Sequence, residues 1–385
     1  MFFLSPIKEK NCHINSKWYI ENCLFPRMNK NQETIIIDSD AVNEIIIKKG
    51  LNKVMDDLTS SLERALSEYN SEDTHIPARS GFNYKKPFLG LVEWMPLMKK
   101  GEEVVIKVVG YHPENPELFK VPTILSTISS YDTHTGHLNH LLDGVLLTAL
   151  RTGASSAVAT KLMANPDSEI LGIIGCGAQS VTQIHAISRL FDIEEVLYYD
   201  SDQASMDSLK ERLAPIDLDI TLRQASIEEI LEQSDIISTA TSIEPHKGPL
   251  FEQYNCKAHL HINAVGADFP GKFELPKSLL QNSKVCPDFL DQAVIEGECQ
   301  QLESSDIGPS WVELIKSEEL QQEYKSSVTV FDSTGWALED QVVADLFADY
   351  TKELGLGTRM NIESYSSDEK NPYGAIHQFS RLSDS

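Results

Sequence analysis

The apolar run from Glu169 to Ile174 passes through Gly175-x-Gly177-x-x-Ser180 into a helical stretch, and no other feature restricts the possible folds of this chain so strongly. A strand feeding a helix through such a turn belongs to a βαβ unit, and the spacing is that of a dinucleotide cradle. Gly175 permits the tight turn, and Gly177 has no Cβ to block a pyrophosphate. Small Ser180, beyond Ala178 and Gln179, lets the helix lie close to the strand with its first N–H groups facing the phosphates. A second strand is expected over Glu194 to Asp200. Asp200 falls about 25 residues after the first glycine, where an acid accepts ribose hydroxyls. No Arg or Lys stands in Ser201-Asp202-Gln203, so NAD is expected rather than NADP.

The rest of the chain supports a doubly wound α/β domain joined to a second lobe. At 385 residues the length favours two cores over one. Residues 1–33 are polar and irregular and read as an arm. Thr34–Asp38 then reads as a strand, and Ala41–Asn70 as one long helix with Val54, Leu58, Leu62 and Leu66 at four-residue steps. Leu89–Trp94, Val104–Gly110 and Val121–Tyr131 read as strands of an antiparallel sheet, with Asp132-Thr-His-Thr-Gly136 as the turn that follows. A helix rich in Ala, Thr and Leu from Gly144 to Asn165 is expected to bridge the lobes. Short apolar runs around Ile170, Val196, Ile237, Ile262, Val285 and Val330 then alternate with helical stretches, as a parallel sheet requires. The expected division is a substrate-binding and dimerisation domain over 34–145, completed by 336–385, and a Rossmann domain over 146–335. The tail from Met360 is polar, with a composition that favours partial disorder.

Acidic residues outnumber basic ones 58 to 33, for a formal net charge of −25. Nucleic acid and anionic membrane surfaces are therefore poor partners. Six scattered cysteines show no CxxC pair, and His134, His137 and His140 span a turn and a strand with no acid or thiol to complete a set, so no metal site is expected. No run approaches the roughly 20 apolar residues of a membrane span, and the N-terminal apolar run is too short for a secretory signal. A cytoplasmic protein is expected.

Lys107 interrupts Val104-Val-Ile-Lys-Val-Val109, and Arg151 follows Leu146-Leu-Thr-Ala-Leu150. A cation among apolar residues is costly unless paired. Each either pairs with one of the chain's many carboxylates or holds a small carboxylate substrate. Asp268, just beyond the expected strand His259–Val265, is either a general acid/base at the strand's carboxyl end or a turn residue.

The ordered strings Leu91-Val-Glu-Trp-Met-Pro96, Lys107-Val-Val-Gly-Tyr-His-Pro-Glu-Asn115, Leu147-Thr-Ala-Leu-Arg-Thr152, Ile173–Ser180, His261–Leu275, Ile295-Glu-Gly-Glu298 and Phe331-Asp-Ser-Thr-Gly-Trp-Ala-Leu-Glu-Asp340 cover much of residues 34–350. In these the chain resembles the ornithine cyclodeaminase and mu-crystallin family, most nearly its bacterial ornithine cyclodeaminases. The resemblance implies a homodimer that binds NAD and converts L-ornithine, or a close diamino acid such as lysine that the sequence does not separate from it, to L-proline or its homologue with release of ammonia. It implies that Arg79, Lys107 and Arg151 take the substrate carboxylate, that Asp268 handles protons at the α-amine, and that Glu93 meets the distal amine. It also implies that Thr152, Asn263, Val265, Gly266 and Ser333 join Gly175, Gly177, Ala178, Gln179, Ser180 and Asp200 at the cofactor. The segment from Arg79 to Glu93 is a few residues longer than in the ornithine enzymes. Two alternatives share the fold: an NAD(P)H-dependent imine reductase or amino-acid dehydrogenase, and a non-catalytic crystallin-like binding protein.

Overall fold

The computed structural model describes residues 32–366 and 368–376. The expected arm, up to residue 31, and the last nine positions of the tail lie outside the described residues. Residues 35–358 make one compact unit containing both sheets. The described tail follows a short strand, Thr358–Met360, and holds one 3-10 turn, Pro372–Ala375, capped by the Asn371 side chain.

The first sheet is built from β1 (Thr34–Ile37), β2 (Thr74–His75), β3 (Ser80–Tyr84), β4 (Gly90–Lys99), β5 (Glu103–Tyr111), β6 (Ile124–Asp132) and β7 (Leu138–Asp143). Its order is β1-β7-β6-β5-β4-β2 with β3 also on β4, antiparallel except for β1 beside β7. Strand β4 runs past its expected end through Pro96. The proline pairs only with Ile106 of β5, because β3 pairs with β4 up to Trp94 and β2 joins from Met98. Its missing N–H thus costs no ladder bond. The two-residue alternation of a strand puts Glu93, Met95 and Leu97 of β4 on one face with Val105 and Lys107 of β5, Met95 lying directly opposite Lys107.

Helices α1 (Ser39–Lys49) and α2 (Leu51–Glu68) replace the single expected helix. The break is Gly50, whose φ of 85° lies outside helical space and whose N–H closes on the Ile46 carbonyl. Beyond the break, Val54, Leu58, Leu62 and Leu66 are all buried, as their spacing predicts.

Helix α3 (Val145–Met163) leads to the second sheet and is buried almost all round, as an apolar helix without a polar face must be. That sheet is parallel, in the order β10-β9-β8-β11-β12-β14-β13. Its strands are β8 (Ile170–Ile174), β9 (Glu195–Tyr199), β10 (Thr221–Gln224), β11 (Ile236–Thr239), β12 (His261–Ala264), β13 (Lys284–Pro287) and β14 (Thr329–Asp332). The order reverses between β8 and β11, which is where a Rossmann sheet leaves a crevice at its carboxyl edge. Helix α4 (Ala178–Leu190) follows the glycine turn, α5 (Leu290–Glu296) follows β13, and α6 (Ala337–Leu354) returns to lie against β4 and β5.

Helices α3 and α4 touch backbone to backbone at Gly153, where any Cβ would collide with the Thr182 carbonyl. Gly153→Ala should therefore push the helices apart and lower stability by about 1–3 kcal/mol, read from urea denaturation. A neutral or stabilising effect would show that the crossing has slack.

Candidate functional site

At the carboxyl end of β8 the chain turns at Gly175, whose φ is 100° and whose added Cβ would lie 2.6 Å from the Ala240 carbonyl oxygen. Only glycine fits there. Gly177 caps α4, and a Cβ added to it would meet nothing within 4 Å. That open space, in front of the free N–H groups of the helix start that Ala178 and Gln179 begin, fits a pyrophosphate. Ser180 is fully buried and its hydroxyl donates to the Gly177 carbonyl at 2.6 Å. Asp200 directly follows β9, with one oxygen accepting from Cys176 N–H at 2.6 Å and the other from Asp202 N–H at 2.8 Å. The acid therefore braces the glycine turn. Arg212, which sequence reading passed over, grips the same turn by donating to the carbonyls of Cys176 and Gly177 at 2.8 and 3.0 Å.

The other expected cofactor residues gather at the adjoining strand ends. Val265 and Gly266 follow β12, and Ser333 follows β14 with its N–H on the Ala264 carbonyl. The Ser333 hydroxyl is buried without a hydrogen-bond partner among the described residues, an orphan that a ligand group would satisfy. Gly266 N–H is held by the Glu274 carboxylate at 2.9 Å. The Thr152 hydroxyl donates to the Thr148 carbonyl within α3. Asn263 is fully buried, its amide donating to Thr160 at 2.9 Å, so it supports the site from behind.

The three cations of the expected carboxylate clamp meet carboxylates of this chain. Lys107 Nζ lies 2.8 Å from Asp340 Oδ1, each side chain 1% exposed. Arg151 Nη1 pairs with Glu339, and its Nε stands 3.2 Å from the same Asp340 oxygen. Burial, helped by the Arg151 charge, pulls the Lys107 ammonium down to about 8 against the opposing pull of Asp340. Burial likewise pushes Glu339 up to about 7, with Arg151 working the other way. Arg79, just ahead of β3, has Nε 2.5 Å from Glu296 and Nη1 3.7 Å from Glu93, and donates to the Thr334 carbonyl.

Arg79, Glu93 and Glu296 line a cleft of about 150 Å³ with Gln292, Ile295 and Phe269. Burial raises the Glu93 carboxyl; Arg79 opposes this and Asp268 adds to it. Asp268 itself is 42% exposed and takes Lys272 Nζ at 3.0 Å, while that ammonium lies over the Tyr111 ring at 5.1 Å. The three histidines stay apart from all this: His134 pairs with Asp132 in the turn, His137 is buried beside it, and His140 on β7 meets Ser130.

Lys272, Glu296, Glu339 and Asp340 were missed as site residues. The available signal was the charged pair Glu339-Asp340, placed in a helix that is otherwise apolar over that turn.

Fold and site define a Rossmann-type protein with a dinucleotide cradle and a small, ion-lined cleft between the first sheet and the loop after β12 and helix α5. Residues 43–354 match the model of the ornithine cyclodeaminase/mu-crystallin family, and the chain belongs to that family. It is similar to the L-lysine cyclodeaminase of Streptomyces rapamycinicus, with 37% identity over 342 residues, covering 89% of this chain and 99% of that one. A solved lysine cyclodeaminase, described as recognising L-lysine, L-ornithine and L-2,4-diaminobutyric acid, matches with a TM-score of 0.86 and 41% identity, covering 89% of this chain and 99% of its own. An archaeal alanine dehydrogenase dimer with bound NAD matches with a TM-score of 0.76 and 28% identity, covering 86% and 100%. The relatives thus include enzymes named for lysine as well as the expected ornithine, the two diamino acids that the sequence alone left unseparated.

Asp340→Ala should cost about 3–5 kcal/mol in urea denaturation, because it strips Lys107 and half of Arg151 of a buried counter-charge. Glu63→Ala, which breaks the exposed pair with Lys161, should cost no more than about 1 kcal/mol. Equal losses would contradict the ranking by burial.

Proposed function

We propose that the protein is an NAD-dependent cyclodeaminase of L-diamino acids, taking L-ornithine, L-lysine or a close homologue to the cyclic amino acid with release of ammonia. The observation that carries this reading is the pairing of Arg79 with Glu93 in one cleft, with Asp268 close enough to add its charge to Glu93: a cation for a carboxylate, a largely buried anion for a second amine, and an accessible base nearby.

Gly177, Ala178 and Gln179 would hold the pyrophosphate of NAD and Asp200 the adenosine ribose, the acid disfavouring the extra phosphate of NADP. Thr152, Val265, Gly266 and Ser333 would border the nicotinamide end. When bound, the nicotinamide would supply at Cα first a hydride acceptor and then a hydride donor. Arg79, Lys107 and Arg151 take the substrate carboxylate, a guanidinium forking onto both oxygens. Asp268, steadied by Lys272, accepts the proton that the α-ammonium sheds on becoming an imine. Glu93 holds the distal amine within reach of Cα. Its carboxyl, raised by burial, is suited to take the proton that this nitrogen must lose before it attacks. Ring closure then expels ammonia.

The same reading makes the protein a cytoplasmic homodimer. The outer face of the first sheet supports the pairing, since Phe82, Leu125 and Val108 are 67%, 44% and 38% exposed there. Among the described residues no helix is long and apolar enough to cross a membrane.

The test is product analysis with trace NAD+ and a panel of L-ornithine, L-lysine and L-alanine. Cyclic amino acid and ammonia should appear in equal amounts from a diamino acid with no net NADH, and Asp268→Asn should cut kcat by about 10²–10⁴ while NAD still binds. Stoichiometric NADH from L-alanine would make the protein a dehydrogenase instead.

A further inference from the structure

Most buried carboxylates near the second sheet's carboxyl edge do structural work. Glu274, Glu298, Asp288 and Asp332 each accept two backbone N–H bonds and so pin loops. Glu296 is different. It is 5% exposed, ends α5, faces the cleft, and among the described residues accepts no backbone N–H; its partner is the Arg79 guanidinium.

Glu93 reaches the same guanidinium from β4, on the other sheet. The cleft wall therefore sets two nearly buried carboxylates against one cation, with Asp268 adding further negative charge nearby. A ligand whose carboxylate draws Arg79 away removes the counter-charge of both acids. Two carboxylates left facing each other in a water-poor site are costly. A ligand that also carries a distal ammonium replaces the lost cation, and one that lacks it does not. Selection of this kind penalises the wrong ligand by leaving buried charge unpaired.

We propose that Glu296 is a specificity-determining residue that forms, with Glu93, a two-carboxylate receptor for the distal ammonium of a diamino acid, with Arg79 as the shared counter-ion until the ligand arrives. The proposal rests on the diamino-acid reading above and adds the second acid to it. It also joins the two sheets functionally, since the receptor is complete only when α5 and β4 stand together.

The test compares L-lysine with L-norleucine, which has the same length and no distal amine, as ligands of the NADH-bound protein, where hydride removal cannot proceed and calorimetry reads binding alone. Wild type should favour lysine. Glu296→Gln should shrink that preference about tenfold or more, weakening lysine and relieving the penalty on norleucine with NADH binding unchanged, and Glu296→Asp should restore part of it. An unchanged preference in Glu296→Gln overturns the proposal. If wild type turns over no diamino acid, the cyclodeaminase reading falls, yet the lysine-to-norleucine ratio still decides the receptor.

Should Glu296→Gln not fold, wild type carries the test through pH. Burial pushes the Glu296 carboxyl up to about 7 against Arg79, with Glu93 and Asp268 reinforcing the rise. The ligand ammonium stays protonated well above that range. Lysine binding should therefore tighten as pH rises from about 5.5 to about 8 while norleucine binding does not follow it. Parallel profiles for the two ligands would contradict the receptor.

Discussion

The contact on which the architecture turns is a single buried oxygen, Asp340 Oδ1, which accepts from Lys107 Nζ at 2.8 Å and stands in an ion pair 3.2 Å from Arg151 Nε. Lys107 comes from β5, Arg151 from α3 and Asp340 from α6, so one atom ties the first sheet, the bridging helix and the returning helix. Charges this deep tolerate no missing partner. Glu339 completes the set by pairing with Arg151, and Gly335 lies so close that a Cβ would stand 2.7 Å from the guanidinium. The result is a charged hub inside an otherwise apolar junction. A ligand carboxylate reaching Lys107 and Arg151 has to compete with Glu339 and Asp340 for cations already matched.

The second sheet solves a different problem with the same chemistry. Its carboxyl edge must present loops to a ligand, yet loops there expose backbone N–H groups that need acceptors. Asp332 takes the N–H groups of Glu298 and Cys299, Glu298 those of Glu274 and Leu275, and Glu274 those of Thr241 and Gly266. This relay runs from β14 to the loops after β11 and β12. Burial pushes Asp288 and Asp332 up to about 6, the backbone donors holding them down. Rigid loops at a strand edge are what a hydride-transfer geometry would need, because small misplacements there cost rate steeply.

Local rules made much of this legible in the sequence. The glycine turn, the alternation that sends Lys107 to the face of Val105, and the four-residue steps of α2 each depend on neighbours along the chain. Gly50 was legible in principle, yet the unbroken apolar periodicity on both sides of it pointed to one helix. Ion partners were hidden, since Lys107 and Asp340 lie 233 positions apart and nothing local says which of 58 acids will serve. Glu296 stood in a recognisable string, but its separation from the scaffolding acids around it appears only when hydrogen bonds are assigned. The choice between ornithine and lysine depends on cleft length, a property of packed side chains rather than of motif spacing.

The proposed function stands on an enclosed redox cycle, in which hydride would leave Cα and return to the same carbon before the product departs. The most direct measurement is turnover of L-lysine or L-ornithine carrying deuterium at Cα, with unlabelled NAD+ in trace amount and mass analysis of the cyclic product. Deuterium should be retained at Cα of the ring at near one atom per molecule, with no build-up of labelled NADH. Loss of the label from the ring, or its accumulation in reduced cofactor, would contradict it.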